Sequence, residues 1–177
     1  MSQAGKPSIT LTVERLREVL DYDPSTGVFI WLISPAARAP VGAVAGCPKP
    51  DGYRQIQVDG VNYRAHRLAW LWVHGVWPSG VLDHKDGYRD NNAINNLRPA
   101  TLSQNGGNMR RHRDNVSGFK GACFEKRSRK WRGTIVINGK QRHLGLFATA
   151  EEAHAAYVRA AIETFGEFAS DGAITAE

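Results

Sequence analysis

The stretch LDHKDGYRDNNAINNLRPATLSQNGGN, residues 82–108, places Asp83 and His84 side by side ahead of a crowd of asparagines. These residue types suit hydrolysis of a phosphodiester. That reaction needs a base to activate water, a cation for the phosphate and the leaving oxygen, and a group that aims the base. Histidine can supply the base, because its ordinary titration range lies near neutral pH. Carboxylate and amide oxygens suit a hard divalent ion such as Mg²⁺ better than imidazole or thiolate does. Adjacent residues on a strand end project in different directions, so one of the pair can face an ion while the other faces water. Asparagine also tolerates unusual backbone angles, and Asn91, Asn92 and Asn95 are read as turn residues on that ground.

The elements that must position this chemistry are a strand, a turn, a second strand and a helix within residues 81–109. Val81 and Leu82 form the first strand, Asp86-Gly87 reverses the chain and Leu97 starts the second strand. Thr101 caps a helix running to Asn108, with Gln104 at its third position in a capping-box pattern. Upstream, Leu11, Leu16, Val19 and Leu20 at helical spacing predict a short amphipathic helix before Pro24. TGVFIWLI reads as a strand, SPAARAPVGAVAGCPKP as a surface loop, and Asp59-Gly60 as a hairpin turn. HRLAWLWVHG predicts an apolar helix ended by Gly75, with Leu68, Leu71 and Trp72 on one face. His66 and His74 are read as packing or capping residues of that helix. Trp31, Trp70, Trp72 and Trp77 are read as mostly core.

DHKDGYRDNNAINNLRPATLSQN resembles the HNH endonuclease motif of phage and homing-type nucleases, in the variant with Asp before His and Asn at the last position. YDPSTGVFIW and AHRLAWLWVHGVWP resemble the segments that precede that motif in phage members of the family. The resemblance implies a ββα-metal finger at about 81–109 inside a nuclease domain spanning 1–109. It makes His84 the general base and Asn96 the residue that braces it, with Asp83 and Asn105 as metal ligands. Asn105 stands where many relatives carry His, which favours Mg²⁺ or Mn²⁺ over Zn²⁺, one divalent ion per site. Asn108, one helical turn beyond Asn105, is the rival ligand.

Past a basic linker at 110–116 the pattern changes. FKGACFE, KWRGTIVI and KQRHLGLF predict strands, the last two joined by an Asn138-Gly139 turn. Thr149 caps a final helix with Glu152 reaching back to it, and Ala153, Ala156, Tyr157, Ala160 and Ile162 or Thr164 give that helix a small-residue face. Alternation puts Trp131, Gly133, Ile135 and Ile137 under the helix, with Leu144 and Phe147 joining them. Arg132, Thr134 and Val136 take the opposite face, and His143 points outward. Gly121, Trp131, Ile135, Leu144-Gly145, Phe147, TAEEA, Tyr157 and RAA make residues 117–170 resemble the plant ethylene-response (APETALA-type) DNA-binding domain. In that family a three-stranded sheet enters the major groove. Cys123, Glu125, Val136, Gln141 and His143 stand where several of its base-reading Arg and Trp lie, so the plant target sequence is not implied. The resemblance leaves a DNA-binding set of Lys120, Lys126, Arg127, Arg129, Arg132, Thr134, Arg142 and His143.

Charge supports the same partner. Eleven Lys or Arg lie between Arg110 and Arg142 against Asp114 and Glu125, whereas the segment after Leu144 is acidic, and the 177 residues carry a formal net charge of +6. A basic face backed by an acidic one suits double-stranded DNA. A hydrophobic content of 42% excludes global disorder. Cys47 and Cys123, lone and far apart, exclude a disulfide framework and a cysteine zinc site. The opening MSQAGKPSIT lacks an apolar signal core and no run reaches membrane-spanning length, so a cytoplasmic protein of a bacterial or phage-infected cell, with no membrane partner, is expected.

The expected fold class is α+β: a ββα-metal nuclease domain, then a small three-stranded antiparallel sheet packed on one C-terminal helix. The expected function is metal-dependent hydrolysis of phosphodiester bonds in DNA held by the C-terminal domain, with no small-molecule cofactor. One site per chain nicks one strand, and a homodimer on DNA would be a route to cutting both. The alternative is an inactive DNA-binding regulator on the same scaffold.

Overall fold

The computed structural model describes residues 11–36, 39–111 and 114–172. The opening MSQAGKPSIT, Ala37 and Arg38 of the surface loop, His112 and Arg113 of the basic linker, and residues 173–177 lie outside them. The described residues form a mixed α/β chain of small antiparallel sheets. Two compact units result: residues up to Pro78 with Tyr88–Leu97, and Ser79–Gly87 with Arg98 onward.

In the first unit, helix α1 (Val13–Val19) is capped by Thr12, whose hydroxyl accepts from the Arg15 amide. The helix stops sooner than its apolar spacing predicts. Leu20–Asp23 is instead a strand, β1, antiparallel to β2 (Val28–Trp31). Asp23 supplies the reason, because its carboxylate accepts from the Ser25 amide and hydroxyl and from the Thr26 hydroxyl, closing a turn. Those bonds hold its pKa down to about 2. Gly27 completes the turn at φ +76°, and a Cβ there would stand 2.3 Å from the backbone of Asn92 and Ala93. Only glycine lets the hairpin approach the asparagine turn so closely, and Tyr22 adds a 2.7 Å bond from its hydroxyl to the Asn92 carbonyl.

Strands β3 (Cys47–Pro48), β4 (Arg54–Val58) and β5 (Val61–Arg64) form a sheet in that order, with Asp59 and Gly60 at positive φ in the hairpin turn. Helix α2 (Ala65–His74) ends on left-handed Gly75. It buries Leu68, Ala69 and Leu71 in a core with Leu16, Leu20, Phe29, Ile56 and Val58. Trp31 is buried there, while Trp72 and Trp77 pack half-buried against it. His66 and His74 lie beside the rings of Tyr53 and Trp70.

The second unit contains β6 (Val81–His84), paired with β7 (Leu97–Ala100), and then helix α3 (Leu102–Asn108). Both bonds of the Thr101–Gln104 capping box are present. Beyond the linker, β8 (Ala122–Glu125), β9 (Lys130–Ile137) and β10 (Lys140–Phe147) make an antiparallel sheet with β9 central, and Asn138 and Gly139 turn at positive φ. Helix α4 (Ala150–Phe165) covers one face, burying Ala153, Ala156, Tyr157, Ala160, Ala161 and Phe165. Ile162 and Thr164 point outward, contrary to the expected face, because a 3.6-residue period carries Ala161 and Phe165 beneath the helix instead. The Glu152 carboxylate accepts from the Ala148 amide, one residue short of the expected Thr149.

The second unit thus takes in both the strand-and-helix finger and the C-terminal sheet.

Candidate active site

Strand β6 delivers Asp83 and His84, both withdrawn from solvent at 3% and 4% exposure. Each oxygen of the Asp83 carboxylate has a different environment. Oδ2 accepts from Arg98 Nε at 3.0 Å and from Asn108 Nδ2 at 3.1 Å, and Arg98 Nη2 lies 3.0 Å away. Among the described residues Oδ1 accepts only from Asn108 Nδ2, at 3.0 Å. The same nitrogen donates to the His84 carbonyl at 2.6 Å. All its neighbours are acceptors, so the amide nitrogen must face them. Asn108 is therefore a clamp on Asp83 that presents its nitrogen there.

Asn105 sits one turn earlier on α3, the helix packed on β6. Its carboxamide is half-buried and makes no hydrogen bond among the described residues, which leaves its oxygen available. Asp83 Oδ1 and the Asn105 oxygen are hard donors of the kind Mg²⁺ or Mn²⁺ takes, so the donor set fits such an ion. Asn96, read as the brace for His84, belongs to the other compact unit, and its amide donates to the Asn91 carbonyl at 2.8 Å. Asn91 and Asn92 serve the turn through bonds to the Ala93 amide and the Asp90 carbonyl, while the unusual backbone angles expected of Asn91, Asn92 and Asn95 are not found, since none of them has positive φ.

Arg98 was not singled out from sequence. Besides Asp83 it donates to the Glu167 carbonyl at 3.0 Å, and its guanidinium lies 3.7 Å over the Phe168 ring. The available signal was an arginine on the strand paired with the Asp83 strand, since opposite charges favour neighbouring strands.

The residues expected to bind DNA fall into three groups. Lys126, Arg127 and Arg129 are exposed in the turn between β8 and β9. Arg132, Thr134 and His143 share the sheet face away from α4, with His143 directly across from Thr134. Arg142 differs, because it lies opposite Ile135, whose side chain is under the helix, and cross-strand partners share a face. Lys120 differs more. Its ammonium donates to the carbonyls of Gly107, Met109 and Ser170 and lies over the Tyr157 ring. Burial pushes its pKa down to about 8, with Asp171 pushing the other way. The phosphate clamp expected at Lys120 gives way to an internal post that ties off the end of α3.

The HNH endonuclease family profile matches residues 63–106, a span that holds Asp83, His84, Asn96 and Asn105. Protein 3.8 of Escherichia phage T7 is 34% identical over 107 residues, 54% of this chain and 88% of that protein. Uncharacterized HNH endonuclease L560 of Acanthamoeba polyphaga mimivirus is 32% identical over 126 residues, 70% of this chain and 64% of its own length. No solved structure matches. Residues 63–106 thus carry an HNH endonuclease domain. Among the described residues no helix is long and apolar enough to cross a membrane.

Proposed function

We propose that this protein hydrolyses phosphodiester bonds in double-stranded DNA with the help of one Mg²⁺ or Mn²⁺ ion per site. The observation that carries this reading is an Asp-His pair on one strand end beside a helix that offers an unengaged carboxamide oxygen. Asp83 Oδ1 and the Asn105 oxygen would hold the ion, which when bound supplies positive charge to the phosphate and the departing 3′ oxygen. His84 accepts the proton of the water that attacks phosphorus. The C-terminal sheet, which resembles the ethylene-response type, holds the duplex through Lys126, Arg127, Arg129, Arg132, Thr134 and His143, with Arg142 at the sheet edge. One site per chain nicks one strand, and a second chain on the same DNA would cut the other.

The test is relaxation of supercoiled plasmid with Mg²⁺ or Mn²⁺, with and without chelator. Nicking that chelator abolishes is expected. His84→Ala should slow it by at least ~10²-fold while DNA binding persists; unchanged cleavage by that variant removes His84 from the mechanism. The 4% exposure of His84 favours a second reading, a DNA-binding regulator on a silent nuclease scaffold. DNA binding without metal-dependent nicking would select it.

A further inference from the structure

We propose that Arg98 is a positioning residue that keeps Asp83 charge-neutralised and open at one oxygen, so that the ion is held firmly only once a DNA phosphate completes its seat, an inference that rests on the hydrolytic reading above. A carboxylate oxygen offers two lone pairs. With Arg98 Nε, Arg98 Nη2 and Asn108 Nδ2 all within 3.1 Å, Oδ2 is saturated, whereas among the described residues Oδ1 has one donor and keeps a lone pair. Asp83 can therefore reach a cation only through Oδ1.

The charge balance points the same way. The guanidinium is always charged, and the side chains of Arg98 and Asp83 are 11% and 4% exposed, so solvent screens their field little. Glu167 reaches Arg98 Nη1 at 3.5 Å but is 75% exposed, so its charge counts for little at the site. Arg98 is also fixed in place by the Glu167 carbonyl and the Phe168 face, and does not have to be recruited. A dication at Oδ1 would meet a pair with no net charge, and Asn105 adds only a neutral oxygen. Among the described residues no group of three or more His, Cys, Asp or Glu could cage an ion. An ion that wants six oxygens must then draw on water and on the phosphate.

Mn²⁺ binding to the full chain, followed by the loss of its free-ion paramagnetic resonance signal against a duplex-only control, tests this directly. Wild type should bind Mn²⁺ at least ~10-fold more tightly with a short duplex present than without it. Without DNA, Arg98→Gln should tighten Mn²⁺ binding by at least ~10-fold, because it removes a nearby like charge and keeps a donor. Arg98→Lys, which retains the charge, should stay near wild type. Equal affinities with and without duplex overturn the proposal, as does tightening by Lys to the same degree as by Gln. If Arg98→Gln fails to fold, the wild-type comparison still decides. Plasmid nicking by wild type with unaltered Mn²⁺ affinity in Arg98→Gln sinks the role of Arg98 alone. Tightened binding without any nicking sinks the hydrolytic reading and leaves that role standing.

Discussion

In the first compact unit the ion pairs Arg15–Asp59, Arg54–Asp90 and Arg64–Asp51 have carboxylates 42–53% exposed. In the second, Arg98–Asp83 is nearly dry. The cores differ too. Phe29, Leu16, Leu20, Ile56, Leu68 and Leu71 fill the first with large apolar side chains, whereas α4 lines the second with alanines and a few aromatics. A unit built for stability can leave its charges in water, where each pair is worth little. Burying one costs desolvation that apolar packing would avoid, so a buried pair marks a place where charge has work other than stability. Here that place is the carboxylate of the candidate site.

The largest expected effect separates these two kinds of pair. Arg98→Ala strands the Asp83 charge and should cost ~3–5 kcal/mol in urea unfolding followed by circular dichroism, whereas Arg54→Ala should cost under ~1 kcal/mol. Similar small losses from both would break the contrast.

Two neighbouring glycines of α3 sharpen it at the level of packing. A Cβ on Gly107 would stand 2.6 Å from the Phe165 ring, while one on Gly106 meets nothing within 4 Å. Gly107→Ala should lose ~1–3 kcal/mol and Gly106→Ala should gain ~0.5–1 kcal/mol, both read from thermal melts. A neutral Gly107→Ala would mean that α3 does not bear on α4.

On the surface, the charge-reversal pair Arg129→Glu and Arg132→Glu should flatten the log-log salt dependence of DNA binding by about one unit per lost phosphate contact. Reversal of Arg64 in the first unit should leave the slope alone, and an equal change from both would detach the sheet from DNA. The smallest effect is expected at Asp59→Asn, under ~1 kcal/mol at low ionic strength and vanishing near 1 M salt.

Much of the local structure was legible because its causes are local. Asp59-Gly60 and Asn138-Gly139 need positive φ at both positions, Gly75 needs it alone, and the Thr101–Gln104 box closes within one turn. Where a local rule had a competitor it failed. Leu20 continues the helical apolar spacing, yet the turn around Asp23 pulled it into a strand. Arg142 and His143 are chain neighbours with similar charge patterns around them, and only the pairing with Ile135 and Thr134 tells their faces apart. Lys120 sits in a basic stretch and reads as surface, but its stem is long enough to bring the ammonium to carbonyls on α3 and at Ser170.

By itself the sequence offered Asp83 and His84 side by side on a strand end, since donor type and spacing are properties of a short window, and the motif resemblance added Asn105 on the helix that follows. Tertiary structure alone decided how those groups are held. That Arg98 saturates one oxygen of Asp83, that Asn108 clamps the carboxylate with its nitrogen, and that Glu167 and Phe168 fix Arg98 all depend on strand register and on contacts such as Arg98 to Glu167, across 69 residues of chain. No window of sequence contains those distances, because they are set by how whole elements pack.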